Sequence, residues 1–123
     1  SKSFTYGSAG HNEQILLKPR TGEIIMLNAK GCPLGIDENA GYGEQTVNYD
    51  HGDLLLLFTD GLVESLGDEG EDLNLGYEKL NMLLKSNIHE PAERLLNIIR
   101  NAIREVYPDN ELMDDLTVLA VNL

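Results

Sequence analysis

Apolar residues occur in short runs of strand length up to residue 59, and at helical spacing between residues 80 and 106. Ser3-Phe4-Thr5-Tyr6 alternates polar and apolar as a strand does. After the small-residue loop Gly7-Ser8-Ala9-Gly10-His11-Asn12, the pattern predicts a strand over Gln14 to Lys18. Pro19-Arg20-Thr21-Gly22 is turn chemistry, and Glu23 to Leu27 completes a hairpin. Residues 28 to 43 are glycine-rich and irregular, and Gln45 to Tyr49 reads as another strand. His51-Gly52-Asp53 turns the chain into Leu54-Leu55-Leu56-Leu57-Phe58-Thr59, an apolar run expected to be buried on both faces of a sheet. That strand should end sharply at Asp60-Gly61, followed by an acidic, glycine-containing loop over residues 64 to 74.

Two helices are predicted next. The first carries Leu80, Leu83 and Leu84 on one face. The second starts around Pro91, which suits a first helical turn, and its stripe runs Ala92, Leu95, Leu96, Ile99, Ala102, Ile103, Val106. Pro108-Asp109-Asn110 breaks it, and Asp114-Asp115 leads into a last strand over Leu116 to Val121. Strands, two consecutive helices and a closing strand predict an α+β fold, an antiparallel sheet with both helices on one face.

Charge narrows the function. Nine basic residues against 21 acidic ones leave the 123-residue chain at −12. No basic cluster is available for a nucleic-acid backbone or an anionic membrane, so neither partner is expected. Most of the excess acid is solvating surface; some of it could collect around a divalent cation. Cys32 is the lone cysteine, set in a Gly31-Cys32-Pro33 turn, and reads as structural. The apolar run Leu54 to Phe58 is far too short to span a membrane, and a cytoplasmic location is expected.

Two places could carry chemistry. Asp60 ends a buried strand and precedes a glycine, which fixes its carboxylate where the backbone turns. Asp114 and Asp115 precede another apolar strand; if the two strands are neighbours, their acids converge into an oxygen site suited to Mg²⁺ or Mn²⁺. On spacing alone the plainer account ranks first, with Asp60 in a turn and Asp114-Asp115 opening a strand. The 64-to-74 loop lacks the acid spacing of a calcium-binding EF-hand and reads as solvated surface.

Four ordered segments change that ranking. Ser8-Ala9-Gly10-His11-Asn12, the loop from Gly31 to Ile36, the long run from Gly52 to Glu64, and Asp114-Asp115-Leu116-Thr117 together resemble the PPM (type 2C-like) phosphatases. The match is to their bacterial SpoIIE-like branch and covers essentially the whole chain. What the resemblance implies is an α-β-β-α sandwich around a two-metal centre of Mn²⁺ or Mg²⁺. There, water is activated against phosphoserine or phosphothreonine of a bacterial regulatory protein. By motif position Asp60 is implied as one metal ligand and Asp114 as the other, with Asp115 next in rank for the second place. His11 is implied as part of a glycine-bearing turn rather than a ligand, and no side chain is assigned as a catalytic acid or base.

Two acidic motifs that precede these in the family are not found in residues 1–123. The chain is therefore expected to be the C-terminal portion of a single phosphatase domain, inactive alone, with an apolar sheet face through which it self-associates. The alternative is a non-catalytic interaction module on a degenerate phosphatase fold.

Overall fold

A computed structural model describes residues 2–39, 41–67, 73–107 and 115–123. The elements are β1 (Lys2–Gly7), β2 (Gln14–Lys18), β3 (Glu23–Leu27), β4 (Glu44–Tyr49) and β5 (Leu54–Phe58). They are followed by α1 (Asp60–Leu66), α2 (Leu73–Ser86), α3 (Ala92–Val106) and β6 (Val118–Asn122). Four strands form one antiparallel sheet in the order β3-β2-β5-β6, and β1 pairs with β4 in a separate two-stranded ribbon. The most buried strands, β2 and β5, take the centre. Their register sets Ile15 opposite Leu56, Leu16 opposite Leu55 and Leu17 opposite Leu54.

Side chains alternate across a strand, so this register sorts the leucines by face. Ile15, Leu17, Leu54, Leu56 and Phe58 face the helices and join one core with Leu80, Leu84, Leu95, Ile99 and Ile103. Leu95, Ile99 and Ile103 recur every fourth residue and give α3 its buried stripe. Val106, placed in that stripe by spacing, is about half exposed in the last turn.

Between β5 and α2 the chain departs from expectation. Asp60 does not close a turn into a loop; it is the first residue of the seven-residue helix α1. Of the loop expected over 64 to 74, residues 64–66 belong to α1 and 73–74 to α2, and residues 68–72 lie outside the described ones. Packing explains the helix, because Leu62, Val63 and Leu66 are all buried in the same core. Close approach makes it possible: Gly76 of α2 lies against the α1 backbone, where a Cβ would overlap the Val63 carbonyl oxygen. Seven residues are too few for a helical period to stand out from the sequence, and so short a helix depends on tertiary contacts.

The second sheet face is covered only in part. Leu16 is fully buried there, but Leu55 and Leu57 are half-buried and Leu119 is 54% exposed. Phe4 and Tyr6 of the ribbon share a groove of about 640 Å³ with Leu27, Leu55, Leu57 and Leu119. Burial on both faces of β5, expected from its unbroken apolar run, is thus complete on the helix side alone. Tyr6 ties the ribbon in place: its hydroxyl donates to Gln45 Oε1 at 2.8 Å and accepts from the Ala29 N–H at 3.0 Å.

A buried ion pair fastens the far end of the central strands. Asp53, 2% exposed, accepts from Lys18 Nζ at 2.7 Å and from the Asp50 N–H at 2.9 Å. The hydrogen bond to Asp53 raises the Lys18 pKa above its ordinary 10.5, against the opposing effect of burial. The lysine's share of this stability is therefore undiminished as pH rises to 10.5 and fades as pH climbs through the higher folded value. Lys18→Met should cost about 3 kcal/mol in urea unfolding, because it leaves a buried carboxylate with a single backbone donor. An unchanged midpoint would show that Asp53 finds another partner.

Candidate metal centre

Because β6 runs antiparallel to β5 with Val118 opposite Phe58, the end of β5 and the start of β6 lie at one edge of the sheet. Thr59 joins them. Its N–H donates to the Thr117 carbonyl at 3.0 Å, and its Oγ1 accepts from the Thr117 N–H at 3.0 Å. The same hydroxyl donates to the Asp115 carbonyl at 3.4 Å. Gly61 completes the clamp, since a Cβ at this position would overlap the Asp115 carbonyl oxygen. The room that a glycine leaves beside Asp60 is taken by the backbone of residue 115.

Asp60 and Asp115 are both exposed, and both line an open cleft of about 320 Å³ together with Gly10, His11, Asn12 and Thr59. Asp114, the implied second ligand, lies outside the described residues; its neighbour Asp115 stands at the cleft. The described lining contains two acids and neither Lys nor Arg. That charge has the sign a divalent cation neutralises, and carboxylate oxygens suit the hard ions Mg²⁺ and Mn²⁺. Asp60 and Asp115 are donors of that kind, but among the described residues no group of three or more His, Cys, Asp or Glu is placed to hold a metal.

Gly10, His11 and Asn12 line the cleft and rest on a second loop. The Gly10 N–H donates to the Gly31 carbonyl at 2.7 Å, with Gly10 at φ +74°. Side chains at either glycine would collide, with Pro33 at Gly10 and with the Ser8 carbonyl at Gly31. So the Ser8–Asn12 segment is locked onto the Gly31–Pro33 loop, and two separate motifs become one surface. His11 is exposed at the cleft, its Nδ1 3.2 Å from Gln14 Nε2. Cys32 is half-buried, with Sγ 3.9 Å from the Tyr42 hydroxyl.

Three side chains that tie the cleft's surroundings together escaped the sequence reading. Tyr77 of α2 donates its hydroxyl to the Glu13 carbonyl at 3.0 Å, and burial raises its pKa. Gln14 accepts from the Phe58 N–H at 2.6 Å and donates to the Phe58 carbonyl at 3.2 Å. Asn12 meets donors with its oxygen and acceptors with its nitrogen once its carboxamide is turned over; it then donates to Asp60 Oδ1 at 3.3 Å and to the Phe58 carbonyl at 3.2 Å. A polar residue opening the apolar strand Gln14–Lys18 was the available signal for Gln14. Nothing local marked Tyr77.

This arrangement of sheet, helices and cleft is the fold of PP2C phosphatase domains. The structure superposes on the SpoIIE phosphatase domain of Bacillus subtilis, solved after presoaking with Mn, at a TM-score of 0.69 and 19% identity, over 98% of this chain and 50% of that one. On the SiaA-PP2C domain of Pseudomonas aeruginosa the TM-score is 0.72 at 18% identity, over 98% of this chain and 46% of that one. Residues 1–123 match the family of Stage II sporulation protein E (SpoIIE), and the chain belongs to that family. It is 28% identical over 118 residues to the phosphoserine phosphatase RsbU of Bacillus subtilis (strain 168), covering 96% of this chain and 34% of RsbU. The chain thus spans about a third of that relative's length and half of the SpoIIE phosphatase domain.

Proposed function

We propose that the protein carrying this chain is a metal-dependent protein serine/threonine phosphatase acting on a phosphorylated bacterial regulatory protein. The observation that carries this reading is the convergence of Asp60 and the segment before β6 on one acidic cleft, held there by Thr59 and Gly61. Asp60 and Asp114 are the proposed metal ligands, with Asp115 the alternative to Asp114, and Mn²⁺ or Mg²⁺ the proposed ion. Two such ions, when bound, supply water activation and neutralise charge on the phosphoryl oxygens. The chain's own residues hold the acids still: Thr59 pins one flank, and the Ser8–Asn12 loop closes the other. Among the described residues no helix is long and apolar enough to cross a membrane, which accords with a proposed place in the cytoplasm beside such substrates.

Residues 1–123 are read as the C-terminal portion of the phosphatase domain. In support, the chain covers half of the SpoIIE phosphatase domain. The half-covered leucines on the second sheet face agree with this, since an apolar face of that kind seeks a partner. The test compares two proteins on a phosphoserine peptide with millimolar Mn²⁺. The intact protein should turn over, and residues 1–123 alone should not. Turnover by the short chain would mean that the minimal site is smaller than proposed; an inactive intact protein would favour the non-catalytic interaction module.

The isolated chain should also self-associate through this face. Sedimentation should show dimers or larger species, and Leu119→Glu should shift them toward monomer. A clean monomer at high concentration would contradict the assignment of this face.

A further inference from the structure

The backbone of β2 stops pairing with β5 just before the cleft. Ile15↔Leu56 is the last rung of their ladder. In the next step a side chain replaces the main chain. The Gln14 carboxamide engages both backbone groups of Phe58, accepting from N–H at 2.6 Å and donating to C=O at 3.2 Å. A residue on a neighbouring antiparallel strand would make this same pair of contacts with its own N–H and C=O. On the other side of β5, the Thr59 N–H is held by Thr117. The two residues before Asp60 are therefore fixed from opposite flanks, one by a strand and one by a single glutamine.

That glutamine reaches further. Its Nε2 also lies 3.0 Å from the Asn12 carbonyl, as a donor, and 3.2 Å from His11 Nδ1. Asn12 in turn donates to Asp60 Oδ1 at 3.3 Å in the amide orientation that satisfies both its atoms. One half-buried carboxamide thus links the end of β5, the His11-Asn12 wall and, through Asn12, the Asp60 carboxylate.

We infer that Gln14 is a positioning residue for the metal-binding carboxylate of Asp60, acting through Phe58 and Asn12. The inference rests on Asp60 being a metal ligand, and the experiment separates the two claims. Outer partners of metal ligands set their orientation, and losing one typically weakens metal affinity by 10–100-fold.

In the intact protein, Gln14→Met keeps the side chain's length and removes its hydrogen bonds. Mn²⁺ affinity is read directly, by calorimetry and by the electron paramagnetic resonance of free Mn²⁺, at a temperature where the variant is folded. The expected result is a Kd raised about 10-fold or more, with kcat largely restored at saturating Mn²⁺. Lys18→Met, at the other end of the same strand, supplies the control: it should lower the melting temperature and leave the Mn²⁺ Kd unchanged. If Gln14→Met does not fold, Gln14→Glu is judged by the same measure. It retains an acceptor for Phe58 N–H and loses the donor, and its extra negative charge would by itself favour a cation. A Kd raised less than threefold overturns the inference, as does an equal rise in Lys18→Met. Asp60→Asn is measured alongside: if it leaves Mn²⁺ binding intact, the ligand assignment itself has failed, whatever Gln14 does.

Discussion

Asp60→Asn in the intact protein should abolish most Mn²⁺-dependent phosphatase activity, lowering kcat/KM by more than about a hundredfold. Loss of an outer-shell partner costs 10–100-fold, and loss of a ligand should exceed that range. The substitution keeps the side chain's size and removes its charge. Asp60 is exposed at the first position of α1, so its packing contributes little and the fold should survive. Unfolding curves of the two proteins should nearly coincide. Asp114→Asn should behave alike if that acid is the second ligand, and Asp115→Asn should take its place if it is not. Activity within a few fold of the parent for Asp60→Asn would remove the metal assignment.

Gly76→Ala should destabilise the protein by more than about 3 kcal/mol, and the sign is the informative part. By helix propensity alone, alanine for glycine inside α2 should stabilise by about 1 kcal/mol. The added Cβ, however, would overlap the Val63 carbonyl oxygen, with the Val63 carbonyl carbon and Cα close behind. Backbone cannot rotate away as a side-chain tip can, so α1 and α2 must separate. Overpacking typically costs 1–3 kcal/mol, and a backbone obstacle belongs at or above its upper end. Urea unfolding checks this, and a higher midpoint would mean that α1 is not held as described. Because Asp60 opens α1, the displacement should also reach the cleft. A raised Mn²⁺ requirement in the surviving folded fraction would register it.

These two positions separate what a chain announces locally from what it decides at a distance. The strands over residues 14 to 18, 23 to 27 and 54 to 58 were legible because apolar runs and turn chemistry are local signals. The stripe of α3 was legible for the same reason, with Leu95, Ile99 and Ile103 at helical spacing. The last strand was found slightly early, starting at Val118 rather than Leu116. Asp60 and the Asp114-Asp115 pair stood out as acids flanking apolar strands, and the four ordered motifs supplied the family that the match of residues 1–123 then showed.

The sequence by itself determined the α+β class, the central apolar strands, the α3 stripe and the candidate acids, because each depends on residues close together in the chain. Tertiary structure alone decided the rest. Helix α1 exists because Leu62, Val63 and Leu66 find a shared core and Gly76 admits its backbone. Burial of β5 is complete on one face only, because register divides its leucines between a helix layer and a half-open groove. Gln14 reaches Phe58 across 44 residues of sequence, and Tyr77 reaches Glu13 across 64. Contacts of that separation leave no periodicity in the sequence, since the hydrogen-bonding partner is chosen only once the sheet has set its register.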